Sequence, residues 1–97
     1  MARKLPHFDQ TLSPRIRNIE ELGTLIRNRR AESSTRIDDT AAMVGVSKDV
    51  LSRLENGRPI GTDKLLTILK GMGLDVLIVD KPTAQRVLRE LETSATA

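Results

Sequence analysis

The chain has 97 residues, 16 Lys and Arg against 13 Asp and Glu, and a formal net charge of +3. A sequence this short supports one small core with loose ends, and such a core is marginal unless a partner buries more surface. The absence of cysteine excludes disulfides, zinc fingers and thiolate catalysis, and a single aromatic residue, Phe8, argues against modules that stack single-stranded bases on several rings. The positive excess is local. Residues 1–36 carry eight basic against four acidic residues, 37–61 three against four, and 62–97 five against five, so a phosphate-facing edge is expected from the first third.

Residues 1–17 contain Pro6 and Pro14 and no sustained hydrophobic period, and are read as a flexible N-terminal arm with one short extended piece at 15–17. No apolar stretch follows Arg3 and Lys4, and nothing approaches the length of a membrane span, so the expectation is a soluble cytoplasmic protein at the nucleoid.

Residues 18–73 read as four short helices. Asn18 suits an N-cap, Glu20 and Glu21 suit the positive end of the helix dipole, and Ile19, Leu22, Leu25 and Ile26 recur at helical spacing, which predicts a helix over 19–31. Ile37, Ala41 and Val44 predict a second helix closed by Gly45. Ser47 caps a third, 48–56, with Val50, Leu51 and Leu54 inward and Lys48, Asp49, Ser52 and Arg53 outward. Thr62 is expected to cap a fourth, with Leu65, Ile68, Leu69 and Met72 on one stripe. Short helices with brief connections imply an all-α orthogonal bundle.

Residues 74–80 differ. Leu74-Asp75-Val76-Leu77-Ile78-Val79 is rich in branched residues and bounded by Gly73 and Pro82, so it reads as a β-strand. No second strong strand exists in the sequence to pair its edges, which points to pairing across a homodimer dyad through Val76, Leu77, Ile78 and Val79. Residues 81–97 are expected to form a short helix capped by Thr83, carrying Ala84, Val87, Leu88 and Leu91, and then a disordered tail from Thr93.

The chemistry concentrates in 41–57. A small residue, a glycine turn and an early apolar pair let two helices cross steeply, freeing the outer face of the second for DNA. The major groove is about 12 Å wide and presents a distinct donor and acceptor pattern for each base pair. Lys48 and Arg53 can donate to guanine, Asp49 can accept from cytosine, and Ser52 can do either. Arg36, Ser47, Asn56 and Arg58 flank that face and are assigned to phosphate, where contacts set position and carry no sequence information.

The Gly45-Val46-Ser47 turn followed by Arg53-Leu54-Glu55-Asn56-Gly57 resembles the Xre/Cro family of helix-turn-helix regulators, over roughly residues 19–74. The resemblance implies a lambda-repressor-like bundle and a structural ion pair between Arg30 and Glu55. The opening Ile19-Glu20-Glu21-Leu22-Gly23 and the strand after the fourth helix are similar to the HipB-type antitoxins. That similarity implies a dimeric repressor of double-stranded DNA that binds an inverted-repeat operator, autoregulates its operon and binds a HipA-type kinase toxin. Two positions depart from the family: Ile37 stands where a phosphate-binding Gln is usual, and Thr40 where Leu is usual, leaving Arg36 or Thr35 to meet that phosphate.

Competing readings are a stand-alone regulator without a toxin and an interaction domain that has lost DNA binding. The basic group Arg27, Arg29 and Arg30 suits either the negative end of a helix or a phosphate clamp, with Arg30 favoured as structural. Asp38-Asp39 has no accompanying ligands, His7 lies in the arm, and Gly57 to Lys64 has the wrong spacing for a phosphate loop, so no catalytic residue, metal or cofactor is expected.

Overall fold

The computed structural model describes residues 5 and 7–96. Five helices account for its regular structure: α1 Ile19–Glu32, α2 Ile37–Val44, α3 Lys48–Glu55, α4 Thr62–Gly71 and α5 Lys81–Thr96. Among the described residues there is no strand, and the fold is an all-α helix-turn-helix bundle.

Caps written into the sequence set most of the boundaries. The Asn18 side chain accepts from the Glu21 amide at 2.8 Å, and the Ser47 hydroxyl accepts from the Val50 amide at 3.2 Å. Gly45 ends α2 at φ 85, a left-handed conformation that a side chain would strain, and its amide donates to the Ala41 carbonyl. The turn to α3 therefore needs only Gly45, Val46 and Ser47.

Ile26, Ala41, Val44, Leu51, Leu54, Ile68 and Leu69 form the buried core, one or two from each of α1 to α4. Helix α1 lies against α3 closely enough that a Cβ at Gly23 would overlap the Leu54 carbonyl oxygen. This approach is what the glycine permits. It holds the inner side of α3 against α1 and leaves the opposite side outward.

Three expectations need correction. Helix α4 is preceded by Gly61 as N-cap, and Thr62 is its first residue, without a side-chain cap. Helix α5 starts at Lys81 because the Asp80 carboxylate accepts from the Thr83 amide at 2.9 Å, which makes Asp80 the cap and places Pro82 in the first turn where no amide is needed. The helix then continues to Thr96, through the residues expected as a tail. Among the described residues the run 74–79 forms no strand; the expected ladder is one with a second copy of the chain, and the described residues of a single chain offer it no partner.

The described part of the arm is attached to α1. The Asn28 side chain accepts from the Asp9 amide at 2.6 Å and donates to the Asp9 carbonyl at 2.8 Å, completing both backbone groups of one arm residue. Phe8, Leu12 and Ile16 then border an apolar groove together with Leu22, Leu25, Leu74 and Val76.

Thr40 is 2 % exposed, and its hydroxyl has no hydrogen-bond partner among the described residues. An unpaired buried hydroxyl costs about 1–3 kcal/mol. Thr40→Val keeps the shape and removes the orphaned group, so it is expected to raise stability by about 1 kcal/mol in urea unfolding monitored by circular dichroism. An unchanged or lower midpoint would show that the hydroxyl is satisfied in solution.

Candidate nucleic-acid interface

Helix α3 separates its residues by face. Leu51 and Leu54 are 0 % exposed, whereas Lys48, Asp49 and Arg53 are exposed and Ser52 is half-buried. These four therefore stand on one outward ridge, as their spacing predicts. The Arg53 guanidinium is folded back, donating to the Pro59 carbonyl at 3.1 Å. Reaching a base would exchange that contact for a new one.

Beneath the ridge, Arg30 and Glu55 form the ion pair implied by the family resemblance. Arg30 Nε donates to Glu55 Oε2 at 2.8 Å and Nη2 donates to Oε1 at 2.7 Å, with Nη1 donating to the Thr35 carbonyl at 3.0 Å. Both residues are buried. The two parallel bonds fix α3 about its own axis relative to α1, because the carboxylate at the end of α3 has one bidentate partner in one orientation.

The other two arginines of the group part company. Arg29 pairs with Glu32 at 2.9 Å on the same helix, an exposed contact of small value. Arg27 lies one turn before Arg30 and reaches α3: its Nε is 3.5 Å from Glu55 Oε1 and its Nη2 donates to Asn56 Oδ1 at 3.0 Å. Spacing carried this signal, since Gly23, Arg27 and Arg30 recur on one stripe of α1 and Arg29 does not.

The residues assigned to phosphate are distributed around the ridge. Ser47 caps α3 and Arg58 is exposed just beyond it. Arg36 occupies the N-cap position of α2 without making a side-chain cap, and sits 3.6 Å from Asp38. Arg36, Asn56 and Arg27 border one cleft, with Ile37, Asp38 and Leu5 completing its walls. The side-chain amide of Asn56 is occupied within the protein, since its Nδ2 donates to the Ser52 carbonyl at 2.8 Å while its oxygen accepts from Arg27. The backbone amide at Asp38 itself holds the Asp38 carboxyl below its ordinary value, and the charges of Arg36 and Lys48 add to this. Asp38 is thus an anion set among cations on the edge expected to meet DNA.

Val76, Leu77, Ile78 and Val79 lie away from this surface in sequence and share a different property: all are exposed, Ile78 at 95 %. Among the described residues no cluster of His, Cys, Asp or Glu could hold a metal, and no helix is long and apolar enough to cross a membrane.

With the geometry in place, comparison with known proteins gives the class. Residues 21–77 match the helix-turn-helix domain family, and the chain belongs to that family of DNA-binding regulators. Solved structures sharing the fold include two HipB complexes, one of a single-substitution HipB variant with an O2 20mer and one of HipB with an O4 20mer. Each has 18 % identity and a TM-score of 0.63 over 69 % of this chain, and they are covered to 94 % and 96 % respectively. A third is the clp gene regulator ClgR from C. glutamicum, at 28 % identity and a TM-score of 0.52 over 59 % of this chain and 75 % of that one. No curated protein sequence matches.

Removing one member of the buried ion pair strands the other charge, at a cost of about 3–5 kcal/mol. Glu55→Met alone, which leaves buried Arg30 without a carboxylate, is therefore expected to lower stability by about that amount, Arg30→Met alone by less because Arg27 still faces Glu55, and the double variant to recover most of the Glu55→Met loss. Thermal unfolding of the two single variants and the double variant measures the difference. Equal losses for Glu55→Met and the double variant would remove the pair as the feature that joins α1 to α3.

Proposed function

We propose that the chain is a homodimeric, sequence-specific repressor that reads the major groove of an inverted-repeat operator with Lys48, Asp49, Ser52 and Arg53. The observation that carries this is the ridge itself, four polar side chains on the outer side of a helix whose inner side buries Leu51 and Leu54 completely. Ser47, Arg36 and Arg58 set its position on the phosphates.

The dimer in this reading forms through Val76, Leu77, Ile78 and Val79. Four consecutive exposed apolar residues in an irregular segment carry unpaired backbone groups and apolar surface together, and a second copy satisfies both by forming a two-stranded antiparallel ladder on the dyad. The two recognition helices would then lie about 34–36 Å apart, one turn of duplex. Residues 18–73 serve as the DNA-binding unit and 74–80 as the dimerisation segment, with the arm before and α5 after.

Within the family, the HipB-like reading adds an antitoxin role: the protein represses its own operon and holds a HipA-type kinase toxin. The likeness to HipB in fold supports it. Selection of bound duplexes from fragmented genomic DNA tests this directly. A site upstream of the chain's own gene, beside a kinase gene, is the expected result; sites scattered without either would favour a stand-alone regulator. Ile37 and the modest net charge are what favour a domain without DNA binding, and failure to shift any duplex at low salt would favour that reading.

Two variants separate base reading from phosphate attachment. Arg53→Ala is expected to cost about 1–3 kcal/mol on the selected site and little on random duplex, whereas Arg58→Ala weakens both alike and flattens the salt dependence. Equal losses on both duplexes for Arg53→Ala would take it out of the base-reading set.

Ile78→Asp tests the dimer. Sedimentation equilibrium is expected to show a dimer for the unaltered protein and a monomer for the variant, with unfolding of the α1–α4 unit little changed. A monomeric unaltered chain that still binds the whole operator tightly would overturn the proposed interface.

A further inference from the structure

We propose that Arg27, held in place by Asn56, is the residue that clamps a phosphodiester of duplex DNA at the cleft between the start of α2 and the end of α3. The inference rests on the DNA-binding reading above and identifies a contact that the family motif does not supply in this chain, since Ile37 has no group to offer a phosphate.

The charge count at the cleft is the first argument. Glu55 is one carboxylate shared by two guanidinium groups, those of Arg30 and Arg27. Arg30 takes both oxygens in parallel hydrogen bonds and is buried, so it neutralises Glu55. One positive charge is left over. It belongs to Arg27, whose side chain is 45 % exposed and whose distance to Glu55 is the longer, 3.5 Å against 2.7 Å.

Preorganisation is the second argument. A free surface arginine would lose considerable rotamer entropy on meeting a phosphate. Arg27 is already tied through Nη2 to Asn56 Oδ1 at 3.0 Å, and Asn56 is tied through Nδ2 to the Ser52 carbonyl at 2.8 Å. The guanidinium is thereby anchored to the final turn of the recognition helix, and its Nη1 has no partner among the described residues. An arginine with one edge fixed and one edge open presents its donors in the planar arrangement that suits phosphate oxygens.

Position is the third. Arg27 and Asn56 line a cleft of about 150 Å³ together with Arg36, and the buried Arg30–Glu55 pair lines it as well. Asn56 follows Ser52 by one turn, so the cleft opens beside the base-reading ridge, where a strand bordering the major groove would pass. Asp38 lies 3.6 Å from Arg36 and offsets the charge of Arg36. Arg27 is therefore the dominant positive charge of the cleft. In this arrangement Asn56 is a positioning residue for Arg27, with its own amide groups engaged inside the protein.

The test is a salt series on the full chain with the selected duplex and with a random duplex of the same length, comparing the unaltered protein, Arg27→Gln, Arg27→Lys and Arg29→Gln by fluorescence anisotropy. Arg27→Gln is expected to weaken both duplexes by the same factor and to make the slope of log K against log salt shallower by about one. That corresponds to an about threefold to fourfold smaller loss of affinity between about 50 and about 200 mM salt. Arg27→Lys restores the slope but only part of the affinity, because an ammonium cannot hold Asn56 and a phosphate as a fork does. Arg29→Gln leaves the slope unchanged. A slope for Arg27→Gln equal to that of the unaltered protein overturns the clamp even if affinity falls, since a structural role lowers affinity without changing the ions released. Equal flattening by Arg29→Gln also overturns it. If the unaltered protein binds no duplex at low salt, the DNA-binding reading fails and the clamp with it, an outcome distinct from a normal salt slope that Arg27→Gln leaves untouched.

Discussion

The contact on which the rest depends is the buried bidentate pair between Arg30 and Glu55. Hydrophobic contact alone would hold α3 against α1 but tolerate rotation about the helix axis, since Val50, Leu51 and Leu54 could repack within a small range. Two parallel charge-assisted bonds at one end of α3 remove that freedom. Desolvating two charges is expensive, and a buried pair of this kind often adds little net stability. Its value here lies in orientation: it sets which residues of α3 face outward, and Gly23 allows the helices to come close enough for the bonds to form.

The same pair explains why three arginines in one short stretch have three different roles. Arg30 is withdrawn from solvent by Glu55, Arg29 turns away to Glu32, and Arg27 borrows the edge of the pair and the amide of Asn56. Net charge conceals this division. The total of +3 is modest, yet what matters to a polyanion is an unmatched cation beside the recognition ridge, and local neutralisation of its neighbours is what leaves Arg27 unmatched.

Helix positions were legible because caps and apolar spacing agreed for α1 to α3: Asn18, Gly45 and Ser47 each do in the structure what their residue types favour. The ridge was legible for the same reason, as burial of Leu51 and Leu54 determines what faces away from them. The start of α5 was misplaced because Asp80 and Thr83 are both good caps, and the choice between them turns on Pro82, which fits the first turn of a helix. Attachment of the arm was not legible at all. It depends on the Asn28 side chain matching the backbone of Asp9 nineteen residues away, and no periodicity reports a contact of that kind. The link from Arg27 to Asn56 lay between these cases, visible as a stripe on α1 but without any sign of which acceptor it met.

The segment 74–79 shows where local reasoning about a single chain reaches its limit. Its branched residues favour an extended backbone, yet a strand is defined by its neighbour, and among the described residues there is none. Leaving Ile78 at 95 % exposure beside exposed Val76, Leu77 and Val79 is a poor arrangement for an isolated molecule in water. The bundle cannot absorb these side chains, because its core is already closed by Ile68, Leu69 and the partly buried Leu74 that precedes them. A partner of the same sequence would resolve the conflict without altering the fold, since Val76 to Val79 are all exposed. The proposed recognition surface and the proposed dimer surface thus draw on separate residues, so that the spacing of two ridges on DNA would be set by a segment that itself contributes nothing to base reading.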